Sequence, residues 1–162
     1  MKNHLTKALA ALAGLTVLAA PALAQTPKKG GVLNFAVVAE PPTFDCHGTT
    51  TFATLHPVRP HYNGLLKFVG DVNKELKVVG DLAKSWEMSK DGLTYTFKLN
   101  DNVKFHDGSK FTSEDVKASY ERIVKPPQGV ISARQALHND IVAIETPDPL
   151  TAVIKLKSPN AS

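Results

Sequence analysis

From Leu93 to Asn100 the chain alternates strictly between apolar and polar residues, within a stretch, DGLTYTFKLNDNVKFHDG (residues 91–108), bracketed by two Asp-Gly pairs. Leu93, Tyr95, Phe97 and Leu99 share one side, and Thr94, Thr96, Lys98 and Asn100 share the other. A period of two is that of a strand with one face buried, and it draws no continuous apolar stripe on a helix. Asp-Gly marks a tight turn because glycine accepts positive φ without a steric penalty. The stretch therefore needs an antiparallel partner and a core on one side only. Ala83–Met88 (AKSWEM) supplies the partner through Ser89-Lys90-Asp91-Gly92, which predicts a hairpin. The hairpin carries no chemistry of its own and reads as scaffold.

The rest of the chain punctuates itself in the same way. Leu65 to Val69 and Val78-Val79 flank a charged turn from Gly70 to Glu75, and Val103 to Phe105 is a short extended piece ending at Asp107-Gly108. At Thr112 the period changes to that of a helix: Val116, Tyr120, Ile123 and Val124 form the apolar side. Thr112 with Asp115 three residues later predicts a capping box, and Lys125-Pro126-Pro127 ends the helix. Gln128 to Asp140 is mixed, with helical character from Ala133. Ile141 to Glu145 and Leu150 to Leu156 then pair around Thr146-Pro147-Asp148-Pro149. Upstream, Val32 to Val38 (VLNFAVV) is apolar almost throughout, as expected of a strand buried on both faces. It is followed by Glu40-Pro41-Pro42-Thr43, by the polar loop Phe44 to Thr51 (FDCHGTTT), and by Phe52 to Asn63, where Pro57 and Pro60 predict an irregular or kinked segment. The expected class is mixed α and β (α+β), strand-rich, without regular βαβ alternation.

The first 24 residues read as a secretory signal peptide: Lys2 and Lys7, an apolar run from Ala8 to Ala20, Pro21, and small residues in Ala22-Leu23-Ala24 before a cut after Ala24. A chain so exported is expected in the periplasm. Loss of the leader leaves 17 basic and 15 acidic side chains, interspersed, which argues against a nucleic-acid partner. Cys46 is the only cysteine, so no internal disulfide forms and stability rests on a hydrophobic core. The chain stops at Ser-Pro-Asn-Ala-Ser without a closing element, which reads as an amino-terminal fragment.

Candidate chemistry is sparse. His47, His56, His61, His106 and His138 do not stand at metal-ligand spacings, and no metal or cofactor is expected. Cys46-His47 places a thiol next to a base, but neighbours on extended chain point to opposite faces. No catalytic residue is assigned. A secreted hydrolase using Cys46 or a histidine-bound metal stays as the alternative, and a self-contained extracellular interaction domain as a third reading. Trp86 and Tyr95 read more readily as core than as a stacking platform for a ligand.

Several ordered motifs resemble one family. They are Asp81-Leu82-Ala83-Lys84-Ser85-Trp86-Glu87, Ser89 to Leu99, Val103 to Gly108 and Phe111 to Val116. Gly30 to Leu33, Glu40 to Asp45, Tyr62 to Leu66, Pro147-Asp148-Pro149 and Leu156 to Ser162 follow the same order. Together they resemble the family-5 extracellular solute-binding proteins of ABC importers, which include dipeptide, oligopeptide and nickel binders. The resemblance implies a type II periplasmic-binding-protein-like fold, incomplete here: first strands of the main lobe plus the family's extra subdomain. It implies a leader at 1–24, the start of the main ligand-binding lobe at 25–61, a strand-rich subdomain at 62–119, and its remainder with a truncated return toward the main lobe at 120–162. It also implies capture of a small-molecule or peptide solute, delivery to an ABC permease in the inner membrane, and a monomer. The ligand-binding residues it points to are Thr49, Thr50, Thr51 and Phe52 in the loop after the first strand, with Arg134. Family members usually carry Pro where Cys46 stands, and a helix where Pro57 and Pro60 interrupt this chain. Which solute is bound, whether peptide, nickel complex, opine or sugar, is not written in these residues.

Overall fold

The computed structural model describes residues 29–160 except Leu33 and Val72; the expected leader and its cut after Ala24 lie outside them. By compactness the chain divides into two units, Met1–Phe35 and Ala36–Ser162. The described residues of the first contain the Gly30-Gly31 step and no helix or strand.

In the second unit the elements run α1 (Phe52–Val58), a 3₁₀ turn (Arg59–His61), β1 (Leu66–Asp71), β2 (Glu75–Gly80), β3 (Ala83–Met88) and β4 (Thr94–Leu99). Then come α2 (Ser113–Val124), a second 3₁₀ turn (Gln135–His138), β5 (Ile141–Asp148) and β6 (Thr151–Leu156). β1 and β2 form an antiparallel two-stranded hairpin. The other strands form a four-stranded antiparallel sheet in the order β3-β4-β6-β5.

The expected β3–β4 hairpin is present. Gly92 closes its turn at φ +70°, and the Asp91 carboxylate accepts the Leu93 N–H at 3.0 Å. The apolar side of β4 faces the core: Leu99 is fully enclosed and Phe97 nearly so, with Ala83, Val116, Ala152 and Ile154 around them. Tyr95 packs at the edge of this cluster and donates its hydroxyl to the Asn160 carbonyl, whereas Trp86 remains more than a third exposed.

Helix α2 starts where the sequence places it. The Asp115 carboxylate accepts both the Thr112 backbone N–H at 2.7 Å and the Thr112 hydroxyl at 3.0 Å, closing the helix start from the third position. The same end is tied to the β5–β6 turn, because buried Ser113 donates its hydroxyl to the Asp148 carbonyl (2.7 Å) and its N–H to that of Pro149 (2.9 Å).

Three local expectations change. Residues 34–38 form no strand, and Val38 is 87% exposed. A strand buried on both faces exists only between neighbours, and none of the six strands pairs with this segment. Pro57 lies inside α1 rather than breaking it: it forgoes a bond to the Ala53 carbonyl, but the helix runs only one residue further and closes with the Arg59 N–H on the Leu55 carbonyl. Pro60 then enters at the start of the 3₁₀ turn. Finally, β5 runs on through Thr146 and Pro147 to Asp148. It is an edge strand, and a register irregularity between Glu145 and Asp148 accommodates the proline.

Candidate functional site

The loop before α1 is where polar side chains and irregular backbone concentrate. Asp45 begins it. Its carboxylate accepts the His47 N–H at 2.9 Å, and its carbonyl accepts the Gly48 N–H at 3.1 Å, so residues 45–48 curl into a turn. Thr43 behind it accepts the hydroxyl of fully buried Thr54 through its carbonyl at 2.8 Å, which pins the loop to the inner side of α1.

Two arginines reach this turn from far along the chain. Arg122, on the last turn of α2, forms an ion pair with Asp45 at 2.9 Å and also donates to the Ile131 carbonyl. Arg134 donates one guanidinium nitrogen, Nη1, to the Cys46 carbonyl and to that of Thr49 at 3.4 Å. Between these two, the Ala133 N–H donates to the His47 carbonyl at 2.9 Å.

The threonines follow. Thr49 Oγ1 accepts the Thr51 N–H at 3.2 Å, and the two hydroxyls lie 3.4 Å apart. Thr50 and Thr51 are exposed. Phe52, the first residue of α1, is 67% exposed and stacks on His56 with ring centroids 5.0 Å apart. Thr50, Thr51 and Phe52 are thus exposed and Thr49 half-buried, while the half-buried Arg134 directs its guanidinium at the loop's backbone carbonyls. Beneath the loop lies a cavity of about 270 Å³ lined by Cys46, His47, Val58, Tyr62, Tyr120 and Arg134.

The electrostatics follow from this packing. The His47 N–H donated to Asp45 holds that carboxyl below its ordinary range against a partial loss of hydration, and the Arg122 charge adds to the effect. Burial pushes the His47 imidazole below its usual 6.5; the Asp45 charge opposes this, and Arg122 and Arg134 reinforce it. A histidine whose folded value is lowered binds fewer protons folded than unfolded. Its contribution to stability is therefore complete above the ordinary value and declines as pH falls from there through the lowered one. A proton NMR titration of His47 is expected to show a midpoint below 6.5, with the urea midpoint falling on acidification across that window. A His47 midpoint at or above the ordinary value would contradict this packing.

Among the described residues, no group of three or more His, Cys, Asp or Glu side chains is placed to hold a metal ion. The Arg122–Asp45 pair and the Ala133–His47 bond carried no signal in the sequence, since the partners lie far apart along the chain. Arg134 was expected from the family resemblance only as a solute contact, and its bonds to the loop backbone carried no signal in the sequence either.

Residues 77–162 match the family described as bacterial extracellular solute-binding proteins, family 5 Middle. A protein of Brucella ovis provisionally named an ABC transporter peptide-binding protein is 51% identical over 86 residues, 52% of this chain and 16% of that protein. The glutathione-binding protein GsiB of Pectobacterium atrosepticum is 37% identical over 121 residues, 68% of this chain and 22% of its own. Among solved structures, the periplasmic binding protein DppA of Helicobacter pylori in complex with the peptide STSA aligns with a TM-score of 0.66 at 25% identity, covering 76% of this chain and 26% of DppA. The fold is mixed α/β and strand-rich, similar to that of type II periplasmic binding proteins. The chain spans 16% and 22% of the lengths of the two curated relatives.

Proposed function

Because this chain belongs to the bacterial extracellular solute-binding proteins of family 5, we propose that it builds one wall of a periplasmic receptor that captures a peptide-like or related small polar solute and delivers it to an ABC permease in the inner membrane. Binding proteins of ABC importers bind peptides or small solutes and work with a permease, and the family consists of binding proteins rather than enzymes. Members of family 5 are periplasmic. For this chain the same compartment, reached after cleavage following Ala24, and a monomeric state are part of the proposal. The comparisons lend no support to a hydrolase using Cys46 or a histidine-bound metal.

The observation that supports the proposal is the polar run Thr49, Thr50 and Thr51 with Phe52, of which the last three are exposed. It offers hydroxyls that both donate and accept beside an exposed aromatic ring, and the Thr54 hydroxyl ties the chain at Thr43 to helix α1. Uncharged two-way hydrogen-bonding groups beside an apolar surface suit a peptide backbone, which alternates donors and acceptors. One wall alone buries too little of a solute to hold it tightly, so strong binding needs a second, closing wall.

A chimera tests this. Residues 36–160 replace the matching segment of the Pectobacterium glutathione-binding protein, and the product is titrated calorimetrically with glutathione and with short peptides. Binding that survives the exchange, and that weakens about tenfold when Thr49, Thr50 and Thr51 are all changed to Val, is the expected result, since each lost hydroxyl bond is worth roughly 0.5–1.5 kcal/mol. A folded chimera that binds neither ligand, or whose affinity ignores the valines, would overturn the assignment of this wall.

A further inference from the structure

We infer that Arg134 is a positioning residue, which fixes the backbone of the Cys46–Thr49 turn and hence the placing of the solute-facing threonines, without itself touching solute. Its effect on solute rests on the function proposed above; its hold on the turn stands without it.

The geometry has three parts. First, the carbonyls of Cys46, His47 and Thr49 are all taken by two consecutive residues: Arg134 Nη1 donates to the outer two and the Ala133 N–H to the middle one. Backbone carbonyls this close in sequence converge on one place only when the chain between them is curled. A cation at that focus stabilises the curl. Second, the segment bearing Arg134 is anchored to α2. Ser132 Oγ donates to the Ile123 carbonyl at 2.8 Å, Gln135 Nε2 to that of Val124 at 3.1 Å, and Arg122 to that of Ile131 at 3.2 Å. The first two satisfy carbonyls that the end of α2 leaves open, so the anchor is a rigid element rather than another loop. Third, the guanidinium is partly buried and directed inward at peptide oxygens. Charge-assisted bonds from such a group are among the stronger ones a protein makes.

The chemistry singles out arginine. Both bonds come from one nitrogen held rigidly in the guanidinium plane, whereas the lysine ammonium is a more strongly hydrated point charge on a flexible stem that holds such a focus less well. Arg134→Lys is therefore a partial loss, and Arg134→Gln a full one.

The test uses the 162-residue chain without any solute, so its outcome is independent of whether the threonine surface binds one. Cys46 is a half-buried reporter within the held turn. Its labelling by Ellman's reagent under native conditions is expected to quicken about tenfold in Arg134→Gln and by a smaller factor in Arg134→Lys, because charge-assisted bonds that restrain local opening are lost. Hydrogen exchange separates local from global effects. The Ala133 amide, bonded to the His47 carbonyl, should exchange faster by a similar factor, while the Leu99 amide, bonded to the Leu150 carbonyl in the core, stays at the wild-type rate.

Wild-type labelling in both variants overturns the inference. So does equal acceleration at Leu99 and Ala133, which would mean general destabilisation. If Arg134→Gln does not fold, the Lys variant decides: intermediate labelling with an unchanged Leu99 amide supports the role, and the wild-type rate refutes it. In the chimera, failure of the valine variant to weaken binding alongside a loosened turn in Arg134→Gln would refute the solute wall and leave the positioning role intact.

Discussion

Replacing Leu99 with Ala is expected to lower the free energy of unfolding by about 3 kcal/mol, within the range for fully enclosed leucines. The side chain has no exposed surface and stands at the end of the alternating stretch, opposite Ala83 in the β3–β4 register. Two features prevent the cavity from collapsing. β4 is an inner strand, paired with β3 on one side and β6 on the other, so its backbone cannot move inward without breaking ladders. The neighbours Ala83 and Ala152 are themselves fully enclosed and too short to fill the gap. The measurement is a urea titration, in which the midpoint drops while the slope is unchanged. Phe68→Ala, on the hairpin and 70% exposed, is the control and should stay within about 0.5 kcal/mol. A Leu99→Ala loss no larger than that of the control would mean that the sheet is not held by this core.

Gly80→Ala should be nearly as damaging, for a different reason. A β-carbon at residue 80 would sit 2.2 Å from the Ala83 carbonyl oxygen, and that neighbour is backbone, which cannot swing aside. The position is the joint between the two sheets. Within three residues of it, the N–H groups of Asp81 and Ala83 both donate to the Leu65 carbonyl, at 3.0 and 3.1 Å. Asp81 also accepts Asn63 at 3.0 Å and Lys67 at 3.2 Å through its carboxylate, and Asn100 at 2.8 Å through its carbonyl. Forcing the backbone apart costs about 1–3 kcal/mol as overpacking, plus what the displaced bonds contributed. Amide exchange should locate the damage: the Asp81 and Ala83 amides lose protection ahead of Leu156, whose N–H bonds Leu93 across the far end of the sheet. Uniform loss of protection would mean that the joint is not a local unit. Both substitutions act on the scaffold and leave the threonine loop untouched.

The sequence made much of this scaffold legible because the signals were local. Leu93 to Leu99 alternates, and the β4 side chains it puts on one face are those in the core. Thr112 and Asp115 are three apart, and their bonds start α2. What misled was also local. Val32 to Val38 carries the composition of a buried strand, but composition states a preference for burial and not the presence of neighbours to provide it. Pro57 and Pro147 looked like stops. Each was absorbed where little regular structure follows or depends on it, one residue before the end of a short helix and on an edge strand with a register irregularity.

The candidate site shows where such reading ends. Thr49, Thr50, Thr51 and Phe52 are contiguous, so their neighbourhood was legible from the chain alone. Arg134 was singled out through family resemblance, but its bonds to the loop backbone were not. The Arg134 bond to Cys46 spans 88 positions and the Arg122 bond to Asp45 spans 77.

By itself, then, the order of residues settled the β3–β4 hairpin, the start of α2 and the family to which the whole is akin. Those are choices a chain makes within a few bonds, from side-chain shape and the spacing of apolar groups. The tertiary structure alone decided that β6 enters between β4 and β5, and that the far end of α2 and the segment after it come to lie behind the threonine loop. Contacts of that kind depend on how sheet and helix pack as bodies, and no short run of residues encodes the packing of a partner a hundred positions away.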